Sequence, residues 1–511
     1  MAESALYTVI LVAYFGALMG LGFWFNRRNR SRQEYFLARG DLGPATLGFS
    51  YSATQMSGSS YMGAVGTERE LGYNFAPAGV SSAAAAWFTY ILLGERLRRV
   101  AARVRCTTIV DVFQARYPGR AVGMTATSLM LLAFIPLIAA QLKAAGNLFE
   151  VLLGMPYLLG LFVFGGIVIL YTVIGGMHAV AWTDLIQGSI MIVGFAVLAP
   201  VAVGAAGGFA EMHQRYAEFN PGGISFLGEM PALWVVSSFL VWGFFQIGGA
   251  PAAVTRFLIP EDRGTLRRAL VFSIAFSSFI YIGSTLIAIA SGVLLPDLAQ
   301  TDLALPTLVQ LLMHPVFGGI LVAAVLGATM STIDSVLLLA SSLVVENLYV
   351  PLTGREVSQE RGVRLARWTT LAIGAVAMIV AIDPPATILF IVTMSFSLMA
   401  SAFTFPLLLG MWWPRATRAG GMAGMIGGAL TCVVWYVLGY IEHGSFDNWI
   451  AGLWPALVGP AVSLACLVVV SLRTPPPPRE VQEVFFGEAA DFARAIAREQ
   501  PVAVPEQEEH Q

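Results

Sequence analysis

Oxygen donors are the chemistry this chain concentrates. The stretch GATMSTIDS, Gly327 to Ser335, carries Ser331, Thr332 and Ser335 at spacings that put them on adjacent faces of a helix, and Asp334 adds a carboxylate. Several hydroxyls beside one negative charge suit a small hard cation, which prefers oxygen ligands. A plainer account stays open: serines bond back to their own helix, and Asp334 reaches a membrane interface. A second stretch, SYSATQMSGSSYMG from Ser50 to Gly63, places Gln55, Ser57, Gly58, Ser59 and Ser60 where its surroundings call for a spanning helix. Gly58 and the serines favour an unwound turn, which frees carbonyls to ligate a cation. A small-residue packing face is the alternative. In a third stretch, WGFFQIGGAPAAVTRF, Gly248, Gly249 and Pro251 break a helix beside the aromatic face of Trp242 and the amide of Gln246. Asp184 in HAVAWTDLIQG either neutralises or relays a cation, or caps a helix start; His178 beside it reads as interfacial. Gln141, Lys143 and Asn147 share AAQLKAAGNLFE; Lys143, the lone lysine, reads as a snorkelling residue.

What must position these groups is a bundle of spanning helices. Of 511 residues, 57% are hydrophobic and only 12% charged, where a soluble chain carries about a quarter charged. The chain is expected to be polytopic. Its net charge of −2 implies no nucleic acid or other polyanionic partner. Cys106, Cys432 and Cys466 lie far apart, without metal-ligand or disulfide spacing, and read as small apolar filler. The first apolar run has an acidic start and no basic n-region, so it reads as a span rather than a secretory signal. About thirteen candidate spans follow from length and hydropathy.

Placement of the basic residues gives the orientation. Threaded through thirteen spans, 26 of the 29 Lys and Arg residues fall on one side, with the cluster Arg27, Arg28, Arg30 and Arg32 first among them. That side is expected to be cytoplasmic, with the N-terminus outside and the C-terminus inside. Beyond the last span, TPPPPRE opens a tail in which VQEVFFGEAADFARAIARE reads as a short amphipathic helix. AIDPPAT, with Asp383, reads as a turn between spans.

Hydrocarbon offers no hydrogen-bond partners, so a polar break inside a span must face protein, water or a ligand. By this threading the two broken helices are five spans apart. An odd offset makes them antiparallel, the arrangement of inverted repeats around a transporter's midplane site.

At this point the residues resemble the sodium:solute symporter family, which shares the inverted-repeat fold of the bacterial leucine transporter. The similarity runs from about Tyr7 to Leu472. Its most specific piece is GLFVFGGIVILYTVIGGMHAVAWTDLIQG; ATQMSG, ATMST and the Pro251-to-Arg256 spacing match in the right order. The resemblance implies an all-α membrane protein with an inverted five-helix repeat and one extra N-terminal helix. Its parts would be residues 1–44, the extra helix and a cytoplasmic loop; 45–230, the first repeat and an outer loop; 231–411, the second repeat; 412–472, two more helices; and 473–511, the tail.

Carried over position by position, the resemblance implies sodium held by backbone oxygens of Ala53, Met56 and Ala328 and by the hydroxyls of Ser331 and Thr332. Asp184, Asp334 and Ser335 would form a second sodium site or a release path. Substrate would lie against Gln55, Ser57, Gly58, Trp242, Gln246, Gly248 and Gly249. Sodium and a small solute are the implied partners, with the lipid bilayer and no obligate protein partner. The membrane implied is a bacterial-type cytoplasmic one. WTDLIQ looks most like proline transporters and SGSSYMG nearer pantothenate transporters, but Gln55 stands where proline transporters carry an acid.

Other classes fit less well. An enzyme would need paired catalytic groups, and HExxH, GxSxG and P-loop patterns do not occur. A channel needs a continuous polar lining. A transporter-like sensor would need a kinase module after Leu472, where about forty residues remain.

Overall fold

The computed structural model describes residues 2–26, 42–104, 106, 108–225, 232–260, 262–354, 358–384, 387–446 and 449–487, and every regular element among them is helical. Among the described residues, ten helices are long and apolar enough to cross a membrane. The difference from thirteen has physical causes. The first is that both helices expected to be broken are too short for that count.

Helix α1 (Ala2–Asn26) packs at the periphery. Helix α2 (Pro44–Gln55) opens on a proline, whose missing N–H is harmless at the first position. It runs 12 residues, about 18 Å, against a hydrocarbon core of about 30 Å. At Met56 the backbone leaves the helix with φ −90° and ψ 97°. It re-enters through a π turn, Ser59–Gly63, then α3 (Ala64–Leu71). After the left-handed Gly72, α4 (Ala76–Thr89) and α5 (Glu95–Val104) carry the chain back. Helix α6 (Ile109–Arg116) starts on a capping box, Thr108 with Asp111.

Helix α7 (Arg120–Leu153) is a full span, whereas α8 (Tyr157–Ala205) runs 49 residues, about 73 Å, far more than one crossing needs. It is kinked at Gly176, whose φ of 65° suits only glycine, and Tyr171 Oη bonds Thr183 Oγ1 across the kink at 3.0 Å. The segment therefore holds two helices that meet at Gly176, where two spans were expected. The segment that follows holds α9 (Phe209–Phe219).

The second broken span begins with α10 (Ala232–Phe239) and a π turn, Leu240–Phe244. Two single-turn helices follow, α11 (Gln246–Gly249) and α12 (Pro251–Val254), divided at Ala250 because Pro251 cannot continue the ladder. Then come α13 (Arg263–Leu294), capped by Asp262, the short α14 (Ala304–Leu312), α15 (Pro315–Leu343), α16 (Gln359–Val380), α17 (Ile388–Trp412), α18 (Arg418–His443) and α19 (Pro455–Arg473). Helix α20 (Arg479–Phe486) is the described part of the expected tail helix; the rest, like Arg27 to Arg32 and Pro385 of AIDPPAT, lies outside the described residues.

The layering is that of a membrane protein. Leu132, Val193, Ile282 and Ile441 face outward, while serines and threonines fill the interior. Most enclosed is α15, with 83% of its apolar window buried against 22% for α16. Helix α2 lies against α8, α13 and α15. Gly48 makes that closeness possible, since a Cβ there would stand 2.6 Å from the Ala269 carbonyl oxygen.

Two side chains read as lying near the membrane surface have partners inside the bundle. His178 is buried and its ring stacks on Phe25, 6.3 Å between centroids. Lys143 does not simply snorkel: its Nζ lies 3.8 Å from Asp302, which also accepts from the Ile388 N–H at the start of α17.

Candidate functional site

Where α2 ends, its last carbonyls lose their intrahelical partners. Those of Ala53 and Thr54 are met by side chains of α15. Ser331 Oγ donates to the Ala53 oxygen at 3.1 Å and lies 3.0 Å from the Ala328 oxygen. Thr332 Oγ1 lies 3.4 Å from both the Thr54 and Ala328 oxygens. All are buried. Three backbone and two hydroxyl oxygens therefore converge between the unwound end of α2 and the middle of α15, without a carboxylate among them. A neutral set of hard oxygens fits a monovalent cation. Of the five residues expected there, Ala53, Ala328, Ser331 and Thr332 meet. Met56 is at the helix cap, and the extended ψ turns its peptide unit out of the helix. Thr54 was not among the expected ligands; its own hydroxyl bonds back to the Ser50 oxygen at 2.7 Å.

Gly58 has a different task from the one expected. Its N–H donates to Gln141 Oε1 at 2.8 Å, and a Cβ on it would stand 2.5 Å from Thr329 Cγ2 and 2.9 Å from Ala144 Cβ. The break is thus clamped between α7 and α15, and Gln141 replaces the hydrogen bond that unwinding removes. The signal was present: Gln141 is an amide deep in an apolar helix.

Beside the break lies a cavity of about 90 Å³, bounded by both interrupted helices. Gln55, Ser57, Trp242, Gln246 and Gly249 line it, as expected. Gln55 Nε2 donates to Gln246 Oε1 at 3.3 Å, joining the two breaks across it. The Trp242 ring stacks on Phe396, 5.9 Å between centroids, and its buried Nε1 has no hydrogen-bond partner in the structure. Gly58 and Gly248 stand outside the lining; Gly248 is pressed on the Thr404 backbone. Ser60, Ser82 and Tyr281 also line it. Ser60 stood out in the sequence as part of the unwound stretch, whereas Ser82 and Tyr281 did not, because lone hydroxyls in spans are common. Among the described residues no charged side chain lines the cavity; its walls offer hydroxyls, amides and aromatic faces.

A second polar cluster lies on the other side of α2. Asp184 Oδ2 accepts from Ser50 Oγ at 2.6 Å and lies 3.7 Å from Arg256 Nη2. Arg256 donates to Ser335 Oγ at 2.6 Å and to the Ala252 oxygen at 2.9 Å. Ser335 and Thr54 share a hydrogen bond at 3.1 Å, so the cluster touches the cation-site threonine. Asp184 and Ser335 come together, but around a guanidinium. Asp334 is elsewhere: successive helical residues point about 100° apart, and its Oδ1 accepts from Thr172 on α8.

A model of the sodium:solute symporter family matches residues 35–428. The chain belongs to the sodium:solute symporter family. Among relatives of this symporter is the sodium/pantothenate symporter of Escherichia coli (strain K12), 30% identical over 433 residues, 83% of this chain and 89% of that one. The high-affinity proline transporter PutP of Bacillus subtilis (strain 168) is 29% identical over 475 residues, 91% and 98% of the two chains. A solved Na+-coupled sialic acid symporter, substrate-bound and outward-open, superposes with a TM-score of 0.76 at 19% identity, covering 92% of this chain and 98% of that one. MhsT in complex with L-phenylalanine gives 0.53 at 15% identity, covering 83% and 98%. At such identities the likeness carries the fold, the leucine-transporter-like architecture that the resemblance implied. This is a multi-pass membrane protein.

Proposed function

We propose that this sodium-coupled symporter imports a small polar organic solute bearing a carboxylate, of proline or pantothenate type, by alternating access. The observation that carries the coupling is the meeting of Ser331 and Thr332 hydroxyls with the orphaned Ala53 and Thr54 carbonyls, beside a cavity that Thr54 and Thr332 also line. Sodium bound there would tie α2 to α15 and hold the broken helix in its binding form. Gln55, Ser57, Trp242, Gln246 and Gly249 would hold the solute, with Gly58 and Gly248 shaping the breaks. The relatives' names support an amino-acid-like or acidic solute. The orientation we propose puts the arginine-rich side in the cytoplasm, and the five parts given above are the proposed domain division.

The energetics suffice. One sodium moving down about 100 mV contributes about 2.3 kcal/mol, and a roughly tenfold gradient adds about 1.4 kcal/mol. Together these sustain a solute gradient of several hundredfold, on the order of the roughly 3.7 kcal/mol available.

Uptake into proteoliposomes tests the reading. Radiolabelled proline, pantothenate, a short monocarboxylate and a sugar are offered with sodium or potassium outside. The expected result is sodium-dependent accumulation of one acidic or zwitterionic solute. Accumulation that ignores sodium, or uptake of none of these with a channel-like current instead, would overturn it.

A further inference from the structure

One buried carboxylate has no part in either site. Glu68 lies in α3, which carries the first broken span onward from its break, and it is 1% exposed. Two hydroxyls of α13 meet it: Ser284 Oγ donates to Oε2 at 3.1 Å and Thr285 Oγ1 to Oε1 at 3.4 Å. On a third side is Gly79 of α4, where a Cβ would stand 3.9 Å from Oε1. Among the described residues those two hydroxyls are its hydrogen-bond partners, and no Lys, Arg or His forms an ion pair with it. Residues 226–231, outside the described ones, carry no basic side chain. The charged and titratable groups around α3 are engaged elsewhere. Arg69 turns its Nη2 to the Leu295 and Pro296 oxygens and its guanidinium over Phe219. Tyr73 bonds His213 of α9, Tyr216 of α9 donates to the Arg69 oxygen, and Tyr61 donates to Met191. Asp302, before α14, pairs with Lys143, and Glu70 is exposed.

An ionised carboxylate buried against two hydroxyls alone is costly, and a bound cation removes that cost. One carboxylate and two hydroxyls make too thin an oxygen shell for a metal ion, whereas a proton needs a single lone pair. We infer that Glu68 holds a proton while α3 is packed on α13, and that this proton controls closure of the solute cavity on the α3 side. The inference rests on the transport reading above. The link to the cavity is short. Thr285 Oγ1 also bonds the Tyr281 oxygen at 3.0 Å, and Tyr281 lines the cavity beside Ser60 and Ser82. Glu68 stands about two helical turns beyond Ser60 on the same arm. When that arm leaves α13 to admit solute, the carboxyl meets water and gives up its proton; packing again takes one up. The packed form thus binds the proton more tightly than the open form, so acid on that side favours closure and alkali opposes it. The proton enters and leaves on one side, the outer one in the proposed orientation, and none is carried across.

Two measurements on the full-length protein in liposomes test this. Infrared difference spectra of wild type against Glu68→Gln at neutral pH should show the carbonyl band of a protonated carboxyl, shifting in heavy water. Carboxylate bands in its place would overturn the inference, whatever the protein transports. The second is sodium-driven uptake of radiolabelled proline and pantothenate as external pH is raised at fixed internal pH. Wild-type uptake should fall by up to about tenfold per pH unit once the single site empties. Glu68→Gln, permanently neutral, should show no such fall, and Glu70→Gln should follow wild type. Ser284→Ala removes a donor that favours the ionised form, so its fall should move to more alkaline pH; this variant keeps the test open where Glu68→Gln fails to fold. Equal pH profiles in wild type and Glu68→Gln would overturn the inference and leave sodium coupling standing. Uptake absent at every pH would count against the transport reading instead, and the infrared band would still decide the proton.

Discussion

At the scale of single residues, the account rests on who satisfies whom in a place without water. Asp184 and Arg256 form a buried pair, and removing one partner of such a pair leaves the other charge uncompensated at a cost of about 3 kcal/mol or more. Asp184→Asn should therefore lower thermal stability markedly and slow transport, and Asp184→Asn with Arg256→Gln should recover much of the stability. Differential scanning fluorimetry checks this; equal stability of the single variant and wild type would contradict the pairing. The pair also bears on stoichiometry: a guanidinium already faces Asp184 and Ser335, so one sodium per cycle is the expectation. Flux ratios of labelled sodium and solute in the same vesicles measure it, and two sodium ions per solute would refute it. Much of this was legible beforehand. Ser331, Thr332, Gln55 and Trp242 stood out because polar groups at membrane depth are costly. Gln141 and Thr54 did not declare their roles, since each acts through a contact far away in the chain: Gln141 with Gly58, Thr54 with Ser335. Spacing carries no information about such contacts.

At the scale of elements, the two interrupted helices matter more than any span. Their glycines and proline marked the breaks in the sequence, and the structure places breaks there. What periodicity could not show was how directly neighbouring helices join. Tyr157–Ala205 is two helices that meet at Gly176 with no loop between them, because one residue of positive φ redirects the chain without adding any polar stretch. Gly58 illustrates how an element is positioned. Its φ of −51° is ordinary, so alanine there meets no backbone strain, only the Thr329 methyl and the Ala144 Cβ. Gly58→Ala should push the break off α7 and α15, at about 1–3 kcal/mol for overpacking. Sodium affinity should fall about tenfold or more while the protein still reaches the membrane, since roughly 1.4 kcal/mol corresponds to a factor of ten. Sodium-titrated uptake with quantitative immunoblotting of membranes separates these; wild-type sodium affinity would show that the clamp is not needed.

At the scale of the molecule, a transporter is two packings of one chain around a fixed site, and a ligand shifts them only by its differential affinity. The proposed cation site is built from α2 and α15, and the proposed solute cavity from α2, the π turn after α10 and the short helices α11 and α12, so both ligands would act on the same end of α2. Saturating sodium should therefore raise solute affinity, and solute should raise sodium affinity by the same factor. Isothermal titration of each ligand at fixed levels of the other tests the reciprocity; independent affinities would contradict shared control of α2.

The central claim is that hydroxyls of α15 and carbonyls freed by the end of α2 together hold the coupling ion. Equilibrium binding of radiolabelled sodium to purified wild type and to Ser331→Ala/Thr332→Ala, both checked for folding by thermal melts in potassium, addresses it directly. The account predicts that the double variant melts like wild type in potassium but binds sodium at least about tenfold more weakly, the effect of losing two oxygen ligands. Sodium binding of undiminished affinity in that folded variant would contradict it.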